Sequence, residues 1–144
     1  MSVHTRSQKL AQAAFLRIQA RDGEMTKEDF KEYVTVVKKF PSLVHTCGLA
    51  QAVAFYEAKG NTKPGKPEKP HLRYLKDLAA VLTSVGHQQI VTVEQLTNKV
   101  RTEPISGYLR LSRDTINAAT WLKRYVEAVA PDEVVAPDEA EATS

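Results

Sequence analysis

The sequence predicts an all-α fold, a single-domain bundle of about six helices. Three observations predict it. Apolar residues recur three and four apart through most of the chain, strand-forming alternation is nearly absent, and glycines and prolines fall where the periodic runs end. A chain of 144 residues is long enough for one independent core. Its single cysteine, Cys47, leaves that core to packing rather than to disulfides.

Residues 5–20 are dense in Ala, Leu, Gln and Arg, and read as a first helix that stops near Gly23. Arg6, Lys9, Arg17 and Arg21 fall within an arc of about 120° on it, beside an apolar side carrying Ala11, Phe15 and Ile18. That arrangement predicts a basic outer face. Thr26 followed by Asp29 reads as a helix cap, after which Phe30, Tyr33, Val34, Val37 and Phe40 point inward and Lys27, Lys31 and Lys38 outward. Pro41 is expected to open a new, short helix that Gly48 closes, so the chain should kink twice here. The alanine-rich stretch LAQAVAFYEAK then forms a helix ending at Gly60.

Residues 60–70, GNTKPGKPEKP, satisfy most of a phosphate-cradling G-x-x-x-x-G-K-[ST] loop, but Pro67 stands where the metal-binding hydroxyl belongs. Pro64 and Pro67 also lack the amide hydrogens from which such a nest is built. The segment reads as a lysine-bearing spacer between helices. Leu72, Leu75, Leu78, Ala79, Leu82 and Val85 mark the next helix, up to Gly86. Residues 90–93 could be a short extended piece, and Thr92 or Thr97 could cap a short helix over 94–100. The last helix spans roughly residues 105–130, with Tyr108, Leu111, Thr115, Ala118, Ala119, Leu122, Tyr125, Val126 and Val129 on one arc. Its opposite side carries Arg110, Arg113, Asn117, Trp121 and Arg124.

The net charge of +3 is uneven. Residues 131–144, PDEVVAPDEAEATS, hold five acids and no base, and read as a disordered tail. Residues 1–130, the helical domain, keep 20 basic and 12 acidic residues, a net of +8 that favours a polyanionic partner. No apolar run approaches the roughly 20 residues of a membrane span, and the N-terminus lacks the apolar core of a signal peptide, so the chain reads as soluble and intracellular.

Catalytic chemistry finds no footing in the pattern. His4, His45, His71 and His87 are scattered without the spacing of a metal motif, so neither a metal nor a cofactor is expected. His45 and Cys47 are two apart and diverge on a helix, which leaves a nucleophile only if a distant histidine approaches Cys47. Asp77 and Glu103 are isolated acids, and no nucleophile elbow or paired carboxylates appear.

At Lys38-Lys39-Phe40-Pro41-Ser42-Leu43-Val44, then Gly48-Leu49-Ala50-Gln51-Ala52-Val53-Ala54-Phe55, the chain resembles the small helical subunit of Cmr-type, type III-B CRISPR RNA-guided complexes. A second match runs from Tyr108 to Ala119-Thr120-Trp121-Leu122-Lys123-Arg124. The resemblance covers most of residues 5–130. It implies an all-helical, non-catalytic, cytoplasmic subunit that acts in antiviral defence. Several copies would stack beside the larger subunit that holds the guide, along guide and target RNA. Its partners would be the other complex subunits, further copies of itself and RNA, with no membrane. It implies structural roles for Pro41, Gly48, Leu49, Gln51, Phe55 and Trp121. Lys38, Lys39, Arg110, Arg113, Lys123 and Arg124 are the phosphate-contact candidates on charge and position. A second class remains open: VTVEQLTNKVRTEPISGYLRLSR also reads as two helices about a short turn, as in a DNA-binding regulator that uses Ser106, Tyr108 and Arg110.

Overall fold

The computed structural model describes residues 3–130. Its first helix, α1 (Arg6–Glu24), begins at a reciprocal cap. The Thr5 hydroxyl accepts from the Gln8 amide, and the Gln8 side chain accepts from the Thr5 amide. Thr26 caps α2 (Lys27–Cys47) through the Asp29 amide, and Glu28 and Asp29 complement the dipole of its first turn. α3 (Leu49–Lys59) follows after one residue, and α4 (Pro70–Thr83) opens on a proline whose missing amide hydrogen costs nothing at that position. α5 (Val93–Thr102) starts at a second reciprocal cap, Thr92 with Gln95, and α6 (Ile105–Val129) runs for 25 residues. There is no strand among the described residues; residues 91 and 92 form a bend that leads into the Thr92 cap. The acidic tail expected over 131–144 lies outside the described residues.

Two departures from the sequence pattern stand out. α2 passes unbroken through Pro41, where the pattern places the start of a new helix. The proline removes the amide that would bond the Val37 carbonyl, a cost of about 3 kcal/mol relative to alanine. Val34, Val37, Phe40 and Val44 nevertheless keep helical spacing across it and are all buried, which offsets that cost. Only the second expected break exists, at Gly48, where φ is +87° and a side chain would be strained. Gly60 is needed for a different reason. A Cβ there would lie 2.7 Å from the backbone nitrogen of Leu72, so the start of α4 crosses the end of α3 at a spacing that only glycine allows. The spacer is drawn to α4 by Glu68, which pairs with Lys76 and stands 3.6 Å from Arg73.

α4 is the centre of the bundle and touches each of the other five helices, while α6 lies along α1 and α2. The inward residues of α2 and of α6 are those the periodicity marks, including Phe30, Tyr33, Val37, Leu111, Ala118 and Leu122. Tyr108 and Tyr125 are half-buried and Val129 is exposed, so the inward arc of α6 is narrower than the pattern suggests. Phe40, Tyr56 and Tyr74 form an aromatic cluster with ring centroids 4.9 to 5.6 Å apart.

At the middle of α4 sits a fully buried acid. Asp77 accepts from Arg17 at 2.8 Å, from Arg21 at 2.9 and 3.1 Å, and from the Tyr33 hydroxyl. Burial, and then the Asp77 carboxylate, hold the Tyr33 phenol well above its usual range, so it stays protonated and donates. The acid read as isolated in the sequence therefore binds α1, α2 and α4 together, and the expected basic face of α1 is corrected. Arg21 is only 7% exposed and points into the bundle, whereas Phe15, expected inward, is 40% exposed.

Truncating Leu122→Ala should cost about 2–5 kcal/mol in urea unfolding, because the residue is fully buried in close packing. Asp77→Ala should cost about 3–5 kcal/mol, because it takes the acceptor from Arg17 and the Tyr33 hydroxyl and leaves the buried Arg21 with Glu24 at the surface as its counter-charge. An unchanged midpoint in either variant would contradict the packing described.

Candidate nucleic-acid interface

With the arginines of α1 turned inward or paired, exposed arginines stand in a row on α6. Arg110, Arg113, Asn117 and Arg124 are all exposed along one side of it. At a rise of about 1.5 Å per residue the row extends roughly 21 Å. Arg110 and Arg113, one turn apart, line a cleft of about 780 Å³ together with Arg6, His87 and Lys99. Neither Arg110 nor Arg113 has an acidic partner among the described residues. Lys99 is held at 3.0 Å from Glu103 and 3.2 Å from the Gln89 side chain.

The cleft has a buried anchor. Asp114, almost fully buried, accepts from Arg6 at 2.5 and 3.3 Å and lies 2.7 Å from His87 Nε2. Burial by itself would raise the Asp114 carboxyl, but the bonds from Arg6 and His87 outweigh it and hold the group below the usual carboxylate range. Asp114 thus fixes two cationic or cationisable side chains beside Arg113. The sequence carried a signal for both acids. Asp77 lies between Leu75 and Leu78, and Asp114 between Leu111 and Ala118, each on an inward helical phase, where a carboxylate requires partners.

The other candidates stand apart from this cleft. Lys123 is half-buried and Arg124 exposed, at the far end of α6, where Trp121 stacks on Tyr125 at 5.7 Å and Tyr125 meets Phe15 edge-on. Trp121 is packed against the core. Lys38 is half-buried on α2. Lys39 is exposed and lines a second pocket with Phe55, Lys59 and His71. The six cations therefore occupy three places rather than one common surface.

Of the residues given structural roles, Gly48 makes the turn and Leu49 is buried behind it. Gln51 and Phe55 do not fix α3 as expected; both face outward, and Ala52, Val53 and Tyr56 do the packing. The resemblance implied those two roles, and the inward phase of α3 lies one residue further along, at Ala52 and Tyr56. Cys47 donates its thiol to the Leu43 carbonyl of its own helix at 3.2 Å. No group of three His, Cys, Asp or Glu side chains among the described residues could hold a metal. α5 packs on α3 and α4, and Tyr108 accepts a hydrogen bond from the Ala50 amide, so Tyr108 is committed within the bundle and not free for a DNA groove.

Comparison with known proteins gives a consistent set. The model of the family described as CRISPR-associated protein (Cas_Cmr5) matches residues 6–129. A relative from Thermus thermophilus, the CRISPR system Cmr subunit Cmr5, is 34% identical over 128 residues, covering 88% of this chain and 97% of its own. The crystal structure of a CRISPR-associated Cmr5 family protein from the same organism superposes with a TM-score of 0.69 at 32% identity, again over 88% of this chain and 97% of the other.

The depressed Asp114 carboxyl gives a pH signature. Its ion pairs stabilise the fold fully above the unfolded value of about 3.9, and this contribution is lost as pH falls through the lower folded value. Asp114→Asn should cost about 1–2 kcal/mol at pH 7, and the gap to the parent should close as the pH drops below about 4. Urea titrations of both proteins across that window check it; a gap independent of pH would contradict it.

Proposed function

Since this chain belongs to the CRISPR-associated Cmr5 family, we propose that it is a non-catalytic structural and RNA-binding subunit of a type III-B effector ribonucleoprotein. In this reading several copies stack beside the subunit that holds the guide, along guide and target RNA, in cytoplasmic antiviral defence. The observation that carries the RNA-binding part is the exposed α6 row, with Arg110 and Arg113 unpaired among the described residues at a cleft already lined by Arg6, His87 and Lys99. Arginines free of acidic partners keep their full charge for phosphate oxygens, which they can grip bidentately.

Such contacts hold a strand in place without reading its bases, which suits a complex in which guide pairing supplies the sequence. Lys38, Lys39, Lys123 and Arg124 add positive charge at two further places. The scaffold part of this reading rests on the family itself. No described helix is long and apolar enough to cross a membrane.

The isolated chain should bind single-stranded RNA weakly in fluorescence anisotropy, with a log–log salt slope of about −0.7 per phosphate neutralised. Arg110→Ala with Arg113→Ala should weaken binding and flatten that slope by about 1.4 without shifting the unfolding midpoint. Lys123→Ala with Arg124→Ala should act in the same direction. A salt-independent affinity, or an unaltered slope in the α6 variants, would overturn the RNA-binding part. A reconstituted complex that assembles and works unaltered without this chain would overturn the scaffold part.

A further inference from the structure

We infer that the pocket between α2, α3 and the first turn of α4 holds one unpaired nucleobase with its phosphate, the base stacked on Phe55 and the phosphate between Lys39 and Lys59. The inference rests on the RNA reading only for the source of the base, since none of these residues belongs to the α6 row.

The pocket has a volume of about 590 Å³, within the roughly 300–1,000 Å³ of small-ligand sites. Its floor is apolar and rigid. Val36 and Tyr56 are buried, and the Tyr56 hydroxyl donates to the Val36 carbonyl at 2.6 Å, which locks the ring in place and joins α3 to α2. Phe55 stands above this floor with 48% of its surface exposed, its ring centroid 6.3 Å from that of Tyr56. An exposed ring of this kind is a platform for an unstacked base, whatever the base.

The charge around the ring has one sign. Lys59 Nζ lies 5.5 Å from the Phe55 centroid, drawn to the ring rather than to an acid. No Asp or Glu lines the pocket, and Lys39 enters it from α2. His71, from the first turn of α4, meets Tyr56 edge-on at 4.8 Å. Burial, and then the charges of Lys59, Lys39 and Lys69, lower the His71 imidazole below its ordinary value. The field that repels a proton from His71 attracts an anion to the same space. At neutral pH the uncharged ring offers one N–H and one lone pair, the donor and acceptor functions that a base edge displays. An acidic peptide would satisfy the lysines but would leave the flat Phe55 face without a matching surface.

The test is an NMR titration of the full chain with labelled histidine, the His71 signal being identified by its loss in His71→Gln. Adenosine 5′-monophosphate, inorganic phosphate, a short single-stranded oligouridylate and a glutamate-rich peptide are added in separate runs. The nucleotide and the RNA should each shift His71 saturably and move its titration to higher pH, because the bound phosphate offsets the lysine charges. Phe55→Ala should weaken the nucleotide roughly tenfold, and Lys39→Ala with Lys59→Ala should abolish the upward movement. The inference is overturned if His71 ignores both nucleotide and RNA. It is equally overturned if phosphate alone acts as strongly as the nucleotide with no effect of Phe55→Ala, or if only the peptide is bound. Arg110→Ala with Arg113→Ala should leave the nucleotide response intact. RNA binding in anisotropy with a silent His71 would therefore remove the pocket while the α6 reading stands, and a nucleotide response without RNA binding would do the reverse.

Discussion

The bundle is organised around one buried carboxylate. Asp77 sits at the middle of α4, the helix that meets all the others, and two arginines from α1 and a tyrosine from α2 converge on it. Taking a carboxylate out of water costs several kcal/mol, and only an almost complete set of donors offsets that cost. The requirement fixes geometry as well as energy. Turning α1 by one residue, about 100°, would carry Arg17 and Arg21 away from α4 and leave the acid unpartnered in an apolar interior. A purely apolar seam would tolerate such slippage far better, since one aliphatic contact replaces another at small cost.

The same arrangement sorts the positive charge of the molecule. Arginines of α1 are consumed by Asp77 and, through Arg6, by Asp114. Those of α6 have no such partners among the described residues, so a helix with a less basic sequence face presents the more available charge. Counting cations along a helix measures supply; ion pairing from neighbouring helices determines how much reaches solvent. Asp114 illustrates the two combined, because it pairs with Arg6 and hydrogen-bonds His87 while holding both at the mouth of a cleft whose other arginines remain free.

How much of this was legible in the sequence follows from contrast. α2, α4 and α6 alternate bulky apolar and charged residues, so their inward faces are readable from spacing alone, as Phe30, Leu78 and Leu122 show. The cap at Thr26 is a local event between residues three apart and depends on nothing distant, and at α5 the structure decides for Thr92 between the two threonines the pattern offers. α1 and α3 were harder. α3 is rich in alanine, which packs or faces water with little difference, and so Phe55 and Gln51 could not be oriented. On α1 the inward phase ends in Arg21, and an arginine is an inward residue only if a buried acid awaits it fifty-six residues later. Pairings over such separations leave a trace on one side only: a charged residue inside an apolar phase, with its partner unspecified.

The Pro41 result extends the point from side chains to backbone. Locally, proline and helix interior conflict, and a break is the expected resolution. Here the residues on both sides of it, Phe40 and Val44, are committed to a core shared with α3, α4 and α6, so interrupting the helix would expose more apolar surface than the lost hydrogen bond is worth. The break occurs instead at Gly48, where a φ of +87° is available to glycine without strain. One helix, α2, supplies Tyr33 to the Asp77 cluster and Lys39 to the aromatic pocket, and its continuity past Pro41 adds Leu43 and Thr46 to the same pocket wall. The element that closes the charged centre is therefore also one that carries positive charge to the surface.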